Sequence, residues 1–321
     1  PHNFRKAPND RNEYSWGRIG DHNIVIASLP EGMDGKVSAA TTASEMLASL
    51  TNIRIGLMVG IGAGIPETEP SIRLGDVVVN RPKGTSGGVI QYDLGKATMN
   101  GGFERKGYLN APPTALLSAV TKIRARHERE EPRVEALVND MLKRWPRMAK
   151  TIGKRLAYKH PGAQTDRLFK DTVHHVGGND CSACTQKPDN IVKRNERTEP
   201  EIFYGVIASG DQVVKDAKKR QAVVKDAGQN CICIEMEAAG LMNSFPCLVI
   251  RGICDYADSH KNDIWHNYAA ATAAAYAKEL LNIIDAVAMD PAVHETGSTG
   301  KGRSIGSRGG RAAATAMEGG L

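Results

Sequence analysis

The segment Cys231-Ile-Cys-Ile-Glu-Met-Glu-Ala-Ala-Gly240 joins an apolar run to two carboxylates and a series of small residues. The pattern predicts a buried strand over Cys231–Ile234 and a short helix over Glu237–Asn243. A second apolar strand, Cys247–Ile253, follows and leads to another carboxylate, Asp255. Strand, helix and strand in succession indicate an α/β fold whose parallel or mixed sheet is covered by helices.

The N-terminal half shows the same alternation. We predict a strand over Asn23–Leu29, a helix over Ser38–Ser49 with Ser38 as its N-cap, and a strand over Ile55–Val59. The last of these is expected to turn sharply on Gly60-Ile-Gly-Ala-Gly64. The other predicted elements are strands over Asp76–Val79 and Ile202–Ala208 and helices over Thr114–Arg126, Glu131–Lys143, Lys215–Ala227 and Asn267–Val287.

Composition divides the chain of 321 residues into three parts. Residues 1–15 are polar and irregular. Residues 16–288 carry the α/β pattern, interrupted by a basic insertion over about 103–200. Residues 289–321 are rich in Gly, Ser, Ala and Arg and have almost no large apolar side chain, so we expect a disordered tail. No apolar run approaches the roughly 18 residues of a membrane span. These features predict a cytoplasmic protein with no membrane partner.

Charge and cysteine content restrict the function further. The net charge of +6 comes largely from the insertion and the tail. The tail lacks interleaved aromatic residues, so no specific nucleic-acid partner is expected. Cys181-Ser-Ala-Cys184, with His175 six residues before Cys181, has part of the spacing of a zinc site. No second ligand pair follows at ordinary spacing, so a loop with two free thiols is the alternative.

Three carboxylates at strand ends point to a functional site. Glu235 and Glu237 are two residues apart and project to the same side of a strand end. Helix capping would explain Glu237 but not Glu235, and Asp255 follows the next strand. Buried carboxylates are costly to desolvate, so this grouping favours chemistry. The glycine block Gly60–Gly64 can bring backbone amides close to a phosphate or ribose, but it lacks the features of a P-loop or a dinucleotide site.

These segments, taken together, resemble the nucleoside phosphorylase/nucleosidase superfamily, and more narrowly the fungal phosphorylase-like domains found N-terminal to NACHT, ankyrin or TPR regions. The resemblance spans roughly residues 16 to 287. It implies a three-layer α/β/α fold around a central twisted mixed sheet, a homo-oligomer, and cleavage of the bond between a base and ribose. No cofactor is expected. The matching segments are Gly60–Gly64, Arg73–Val79, Ser209–Asp211, Glu235–Gly240 and Ile253–Asp258.

The resemblance also implies roles for individual residues. Asp255 matches the general acid that protonates or hydrogen-bonds N7 of a departing purine. Glu237 matches the carboxylate that holds the ribose hydroxyls, and Met236 matches the residue that packs on the sugar. Glu235 begins the same motif, and Val213 falls where a base-stacking side chain lies. The implied substrate-binding set is Glu235, Met236, Glu237, Val213, Gly60 and Gly62.

Two departures from the family pattern shape the predicted reaction. Purine phosphorylases hold phosphate with an arginine and a serine where this chain has Met58 and Ile61. Neither can bind an anion, so we predict hydrolysis of a purine, and specifically adenine, nucleoside or nucleotide, with Arg194 and Arg197 as candidate phosphate contacts. Phosphorolysis is the first alternative. The family's first strand has no counterpart before Trp16, which favours a second alternative, a non-catalytic nucleotide-sensing or oligomerisation module.

Overall fold

The structure, a computed structural model, describes residues 4–67, 71–99, 102–178, 181–228, 231–285 and 311–316. The strands are β1 (Tyr14–Ile19), β2 (His22–Ala27), β3 (Ile53–Gly64), β4 (Val77–Asn80), β5 (Val89–Gln91), β6 (Gly95–Ala97), β7 (Phe103–Arg105), β8 (Ile202–Ser209), β9 (Cys231–Glu235), β10 (Leu248–Asp255) and β11 (Arg311–Ala316). The helices are α1 (Lys36–Ser49), α2 (Thr114–His127), α3 (Val134–Arg144), α4 (Ala217–Asp226) and α5 (His266–Leu281).

The main sheet is mixed and partly closed on itself. Its strands run in the order β1-β2-β11-β3-β10-β4-β8-β5, and β9 pairs with both β3 and β8. The strands β3, β10, β4, β8 and β9 therefore form a complete cycle of pairings. The pairs β3–β10, β4–β8 and β8–β9 are parallel, whereas β10–β4 and β3–β9 are antiparallel. The cycle brings the ends of β9 and β10 close together.

Helices cover both faces of this sheet, because successive side chains of its strands point to opposite sides. Leu57 and Val59 of β3 pack in a cluster with residues of α2, α3 and α5. Met58, between them, packs on the other face with Ala39 and Ala43 of α1. Strands buried on both faces read as continuous apolar runs, as the sequence showed. The predicted three-layer α/β/α fold around a mixed sheet is confirmed.

Among the predicted boundaries that the structure corrects, three lie close to the ends of β9 and β10. Helix α1 begins at Lys36, not after Ser38, because Gly35 adopts φ of 90° and Asp211 Oδ1 accepts the Lys36 N–H at 3.0 Å. Strand β3 continues through the glycine block instead of turning there. The absence of a side chain at Gly62 allows this, because a Cβ would lie 2.7 Å from Cys233 Sγ.

The third wrong boundary concerns the segment after β9. The predicted helix over Glu237–Asn243 is only a 3₁₀ turn, Ala238–Gly240. The first backbone N–H groups of this segment donate to side chains and not to helical carbonyls. The Glu235 carboxylate accepts the N–H groups of Glu237 and Ala238, and Ser209 Oγ accepts the N–H of Ala239 at 2.9 Å. This arrangement leaves the segment as a tight corner against the start of α1.

The described part of the tail differs from expectation, whereas the insertion has no separate core, as its sequence suggested. Most of 289–321 lies outside the described residues, but Arg311–Ala316 form β11, parallel to both β2 and β3 and seated between them. Pairing of this kind uses backbone groups, so it does not require the large apolar side chains whose absence suggested disorder. The insertion shares the main core, since Leu116, Val120 and Ile123 of α2 pack against the sheet. Within the described ranges, no helix has both the length and the apolar character needed to cross a bilayer.

Candidate active site

A cavity lies where β9 and β10 end, and most of the predicted site residues line it. Its wall includes Asp255, Val213, Gly62 and the consecutive residues Glu235, Met236 and Glu237. The cycle of strand pairings brings the ends of β9 and β10 together, because Ala63 of β3 pairs with Ile234 of β9 and with Asp255 of β10. The cavity measures about 80 Å³, well below the roughly 300 Å³ of a typical ligand pocket. A ligand of drug or nucleoside size would fit only after lining side chains moved.

One arginine holds the two glutamates at the end of β9. Arg251 lies in the middle of β10, and its Nη2 contacts Glu235 Oε2 and lies 3.1 Å from Glu237 Oε2. Its Nη1 donates to Ile61 O at 3.1 Å. Burial raises the pKa of Glu237, against the opposing effect of the Arg251 guanidinium, while Glu235 raises it further. The arginine thus keeps a buried carboxylate pair in one fixed arrangement.

The two glutamates are not equivalent. Both oxygens of Glu235 accept backbone amides of the following corner, and its side chain is fully buried. Glu237 retains 6% of its side-chain exposure and also accepts the backbone N–H of Gly35. Glu235 is therefore an anchor for the corner, and Glu237 is the carboxylate presented to the cavity.

Asp255 is surrounded by hydrogen-bond donors. Its Oδ1 accepts the N–H of Ala257 at 2.8 Å, and Ala257 adopts the left-handed conformation with φ of 51°. Its Oδ2 lies 3.2 Å from Lys261 Nζ and 3.2 Å from Cys254 Sγ, whose thiol donates. Left-handed φ is costly for a residue with a Cβ and concentrates at functional sites. The turn fixes the carboxylate at the cavity wall.

Several residues of the cavity wall could not be recognised from the sequence pattern. Arg251 interrupts an apolar strand, and a lone charge in a buried strand was the signal that could have revealed it. Lys261 and His266 come from the polar segment after β10, which carried no distinguishing pattern. The remaining lining residues are Asp34, Ile61, Ala63, Gln212, Val214, Ile234, Cys254 and Ala257.

The predicted phosphate contacts are not at this cavity. Arg194 binds Asp166 Oδ1 at 3.0 Å and the hydroxyl of Tyr256 at 2.8 Å. Arg197 binds Asp76 Oδ2 at 2.6 Å and Glu201 Oε1 at 3.0 Å. Each guanidinium is engaged by one carboxylate that is distant in sequence, Asp166 for Arg194 and Asp76 for Arg197, and the basic cluster alone could not reveal these partners. Gly60 is likewise absent from the cavity wall; it lies in β3 opposite Arg251.

The zinc prediction is not supported by the described residues. Among them, one group brings three ligand-type atoms within 4.8 Å of one another, and it is Cys254, Asp255 and His266. Cys181 and Cys184 instead pack with Phe169 in a small apolar cluster. The group at Asp255 is a poor cation site, because the Lys261 ammonium already pairs with the same carboxylate.

A second cavity adjoins the first across Asp255. It measures about 310 Å³ and shares Cys254, Asp255 and Lys261 with the smaller cavity. Its other walls come from the insertion, including Arg167 and Phe169, and from the segment after β10. The Asp255–Lys261 pair therefore stands between two spaces.

The fold and the cavity define an α/β protein with a carboxylate-lined pocket at the ends of two sheet strands. The family model of the phosphorylase superfamily matches residues 151–288. A nucleotide-binding leucine-rich repeat (NLR)-like protein of Hyaloscypha variabilis is 45% identical over 298 residues, which make up 88% of this chain and 27% of that protein. The chain is similar to proteins of the phosphorylase superfamily, and the resemblance read from its sequence is confirmed.

Two further comparisons extend along most of the chain. A 5'-methylthioadenosine/S-adenosylhomocysteine nucleosidase of Mycobacterium bovis is 24% identical over 276 residues, 84% of each chain. The crystal structure of the corresponding nucleosidase from Neisseria meningitidis, in complex with methylthio-immucillin-A, has a TM-score of 0.51 at 16% identity, covering 87% of this chain and 90% of that one. At that identity the structural match supports the fold alone. The chain spans 27% of the length of its NLR-like relative.

Proposed function

We propose that this domain hydrolyses the N-glycosidic bond of a purine nucleoside or nucleotide, with adenine as the favoured base. The observation that carries the proposal is the meeting of Asp255, Met236 and Glu237 in one cavity, although Asp255 comes from a different strand. The similarity of the chain to a nucleosidase along most of its length supports the same reaction class.

The geometry suits the charge changes of that reaction. Cleavage of a glycosidic bond passes through a ribosyl cation resembling an oxocarbenium ion. Glu237 binds the ribose hydroxyls and stabilises the positive charge that develops on the sugar. Asp255, fixed by the Ala257 amide, faces the departing base and delivers the proton that the base needs. Met236 and Val213 supply the apolar contacts of sugar and base.

The charges of the cavity favour water over phosphate as the nucleophile. Four carboxylates line it, namely Asp34, Glu235, Glu237 and Asp255. The two cations of the wall, Arg251 and Lys261, are already paired with three of those carboxylates. An incoming phosphate dianion meets net negative charge, whereas a water molecule carries no such penalty. Ile61 at the wall and Met58 in the core offer no compensating cation.

The proposal is tested by incubating the domain with adenosine, 5'-methylthioadenosine and ATP, each with and without phosphate, and measuring free adenine. We expect phosphate-independent release that falls at least about 100-fold in Asp255→Asn. Asp21→Asn, an exposed change in the β1–β2 turn, is the matched control and should keep full activity.

Other outcomes identify the alternatives. Release that strictly requires phosphate would show a phosphorylase. Binding of an adenine nucleotide without turnover, unchanged in Asp255→Asn, would show a nucleotide-sensing module. Sedimentation of the same preparation checks the oligomeric assembly that the resemblance implies, which stays a prediction.

A further inference from the structure

The turn that follows Asp255 is strained and needs support from outside itself. Within the described ranges, Ala257 is the only residue other than glycine that has a positive φ, at 51°. A residue with a Cβ holds this conformation at a cost, and the conformation persists only where the surrounding structure imposes it. The N–H of Ala257 is also the donor that fixes Asp255 Oδ1, at 2.8 Å. The groups that hold this turn therefore also set the direction of the Asp255 carboxylate.

Tyr256, between these two residues, is held at both ends. Its carbonyl oxygen accepts a hydrogen bond from Arg220 Nη1 at 2.9 Å. Its hydroxyl donates to Asp166 Oδ1 at 2.5 Å and accepts from Arg194 Nη1 at 2.8 Å. Tyr256 and Arg220 are both buried, so water does not compete for these bonds. All three bonds come from outside the strand, and they fix the middle of the strained turn.

Both partners of the hydroxyl belong to the insertion. Arg194 Nη2 also donates to Asp166 Oδ1, at 3.0 Å, so the three side chains form a closed triangle. Burial, followed by the Asp166 carboxylate, raises the pKa of Tyr256 well above its ordinary value against the opposing effect of Arg194, so the hydroxyl keeps the proton that it donates. Neither Asp166 nor Arg194 lines either of the two cavities that meet at Asp255. Their hydrogen-bonded route to Asp255 runs through Tyr256.

We propose that Tyr256 is a positioning residue through which the insertion holds the Asp255 carboxylate against the departing base. This role rests on the proposed function, because Asp255 acts in that reaction. Delivery of the proton requires Asp255 within hydrogen-bonding distance of the base, and a small displacement of a reacting group is costly. Glu237 and Met236 follow a different strand, β9, so the contacts to the sugar do not depend on this turn. Loss of the hydroxyl should therefore slow the reaction and leave substrate binding nearly intact.

Tyr256→Phe removes the hydroxyl and keeps the ring. We expect kcat on adenosine to fall about 10- to 100-fold, with KM within about threefold of wild type. Both constants are measured from adenine release, on protein whose folded fraction is known from circular dichroism. A variant with wild-type kcat, or one whose loss lies in KM alone, would overturn the inference.

The matched control is Tyr276→Phe. Tyr276 is also buried, and its hydroxyl lies 3.3 Å from the hydroxyl of Tyr204. Neither of these tyrosines lines the two cavities, so the control loses a comparable buried contact away from Asp255. It should keep the kcat of wild type. An equal loss of kcat in the control would overturn the assignment to Tyr256.

A double-mutant cycle separates positioning from a general loss of structure. If Tyr256 acts through Asp255, its hydroxyl has no carboxylate left to position in Asp255→Asn. We therefore expect the double variant with Tyr256→Phe to match Asp255→Asn within about twofold in kcat. Losses that multiply in the double variant would show that the two residues act independently, which contradicts the proposed role.

The insertion gives a second test, which also serves if Tyr256→Phe does not fold. Asp166→Ala removes the acceptor of the hydroxyl, whereas Asp166→Asn keeps an amide oxygen that can accept it. We expect Asp166→Ala to lower kcat on the order of 10-fold and Asp166→Asn to stay within about threefold of wild type. Equal kcat in the two variants would overturn the inference.

The inference and the proposed function fail in different ways. Wild-type protein that releases no adenine from adenosine, 5'-methylthioadenosine or ATP overturns the proposed function, and the role of Tyr256 with it. Wild-type protein that releases adenine, together with Tyr256→Phe and Asp166→Ala variants that match its kcat, overturns only the role of Tyr256.

Discussion

Two buried arginine clusters of this chain use the same groups for different purposes. At the end of β9, Arg251 binds the carboxylates of Glu235 and Glu237 in the wall of the cavity. At the start of β4, Arg197 binds Asp76 and so attaches the end of the insertion to the sheet. Asp76 also accepts the backbone amides of Arg73 and Glu201, at 2.7 and 2.9 Å. The first cluster presents a carboxylate to a cavity, and the second attaches the end of the insertion to the start of β4.

The difference shows what decides the function of a buried ion pair. In both clusters the arginine is needed because an unpaired buried carboxylate is costly. Glu235 and Glu237 line a cavity that a ligand can enter, whereas Asp76 lines none of the cavities found among the described residues. A space of about 760 Å³ near the second cluster reaches Arg197 and Glu201 but not Asp76. The ion pairs are alike, and the two clusters differ in whether the buried carboxylates line a cavity.

Removing Arg251 should give the largest effect. In Arg251→Met, Glu235 and Glu237 remain buried without their cation, so we expect the free energy of unfolding to fall by about 3 to 5 kcal/mol. The turnover of adenosine should fall with it, because Glu237 loses its fixed position. Urea denaturation and adenine release measure the two quantities. Arg251→Lys keeps the charge but not the geometry of the guanidinium, so its stability and turnover should lie between those of wild type and Arg251→Met. A fully stable Arg251→Met would contradict the role of Arg251 as the partner of the two glutamates.

The corresponding change in the second cluster should affect stability alone. We expect Arg197→Met to lower the free energy of unfolding by about 1 to 3 kcal/mol, since the pair is mostly buried and Asp76 is left unpaired. Turnover per folded molecule should stay within about twofold of wild type, because no residue of this cluster lines the cavity. Arg54→Met, at an exposed position of β3, is the control and should change stability by less than about 0.5 kcal/mol. A lower turnover in folded Arg197→Met would contradict the prediction that the second cluster affects stability alone.

The last expected effect, which appears only when the pH is changed, is a pH dependence of stability from the second cluster. Burial raises the pKa of Asp76 to about 6, although Arg197 and the two backbone amides oppose it. A carboxyl whose pKa is higher in the folded state stabilises the fold increasingly as the pH falls from about 7 towards 4. Relative to Asp76→Asn, the wild type should therefore gain on the order of 2 kcal/mol over that range. Denaturation curves at several pH values check this, and parallel curves for the two proteins would rule it out.

The sequence was informative where local pattern and fold coincide. The positions of Asp255 and Glu237 after two strands were predictable, because the apolar runs show where those strands stop. The meeting of the two ends was not, because β10 is parallel and β9 antiparallel to β3, and the two strands reach Ala63 from opposite directions. Arg251 was missed because it lies within a run read as plain core. Arg194 and Arg197 were misassigned because their partners, Asp166 and Asp76, are distant in sequence.

The same limit applies to the glycines and the tail. Gly62 was read as part of a turn, but what it provides is room for Cys233 of a neighbouring strand, which only the paired structure reveals. The pairing of β11 uses backbone groups, and these are the same whatever side chains a segment carries. Composition therefore could not predict it.

The partition that Asp255 and Lys261 form between the two cavities has a consequence for selective inhibitors. A compound confined to the smaller space, of about 80 Å³, must be smaller than a nucleoside and meets the carboxylates of Glu237 and Asp255. A purine analogue with an anionic arm could pair with Lys261, draw it away from Asp255 and extend into the larger space of about 310 Å³. Selectivity among nucleoside-cleaving proteins could then be sought in the length and charge of that arm, while the purine scaffold stays constant.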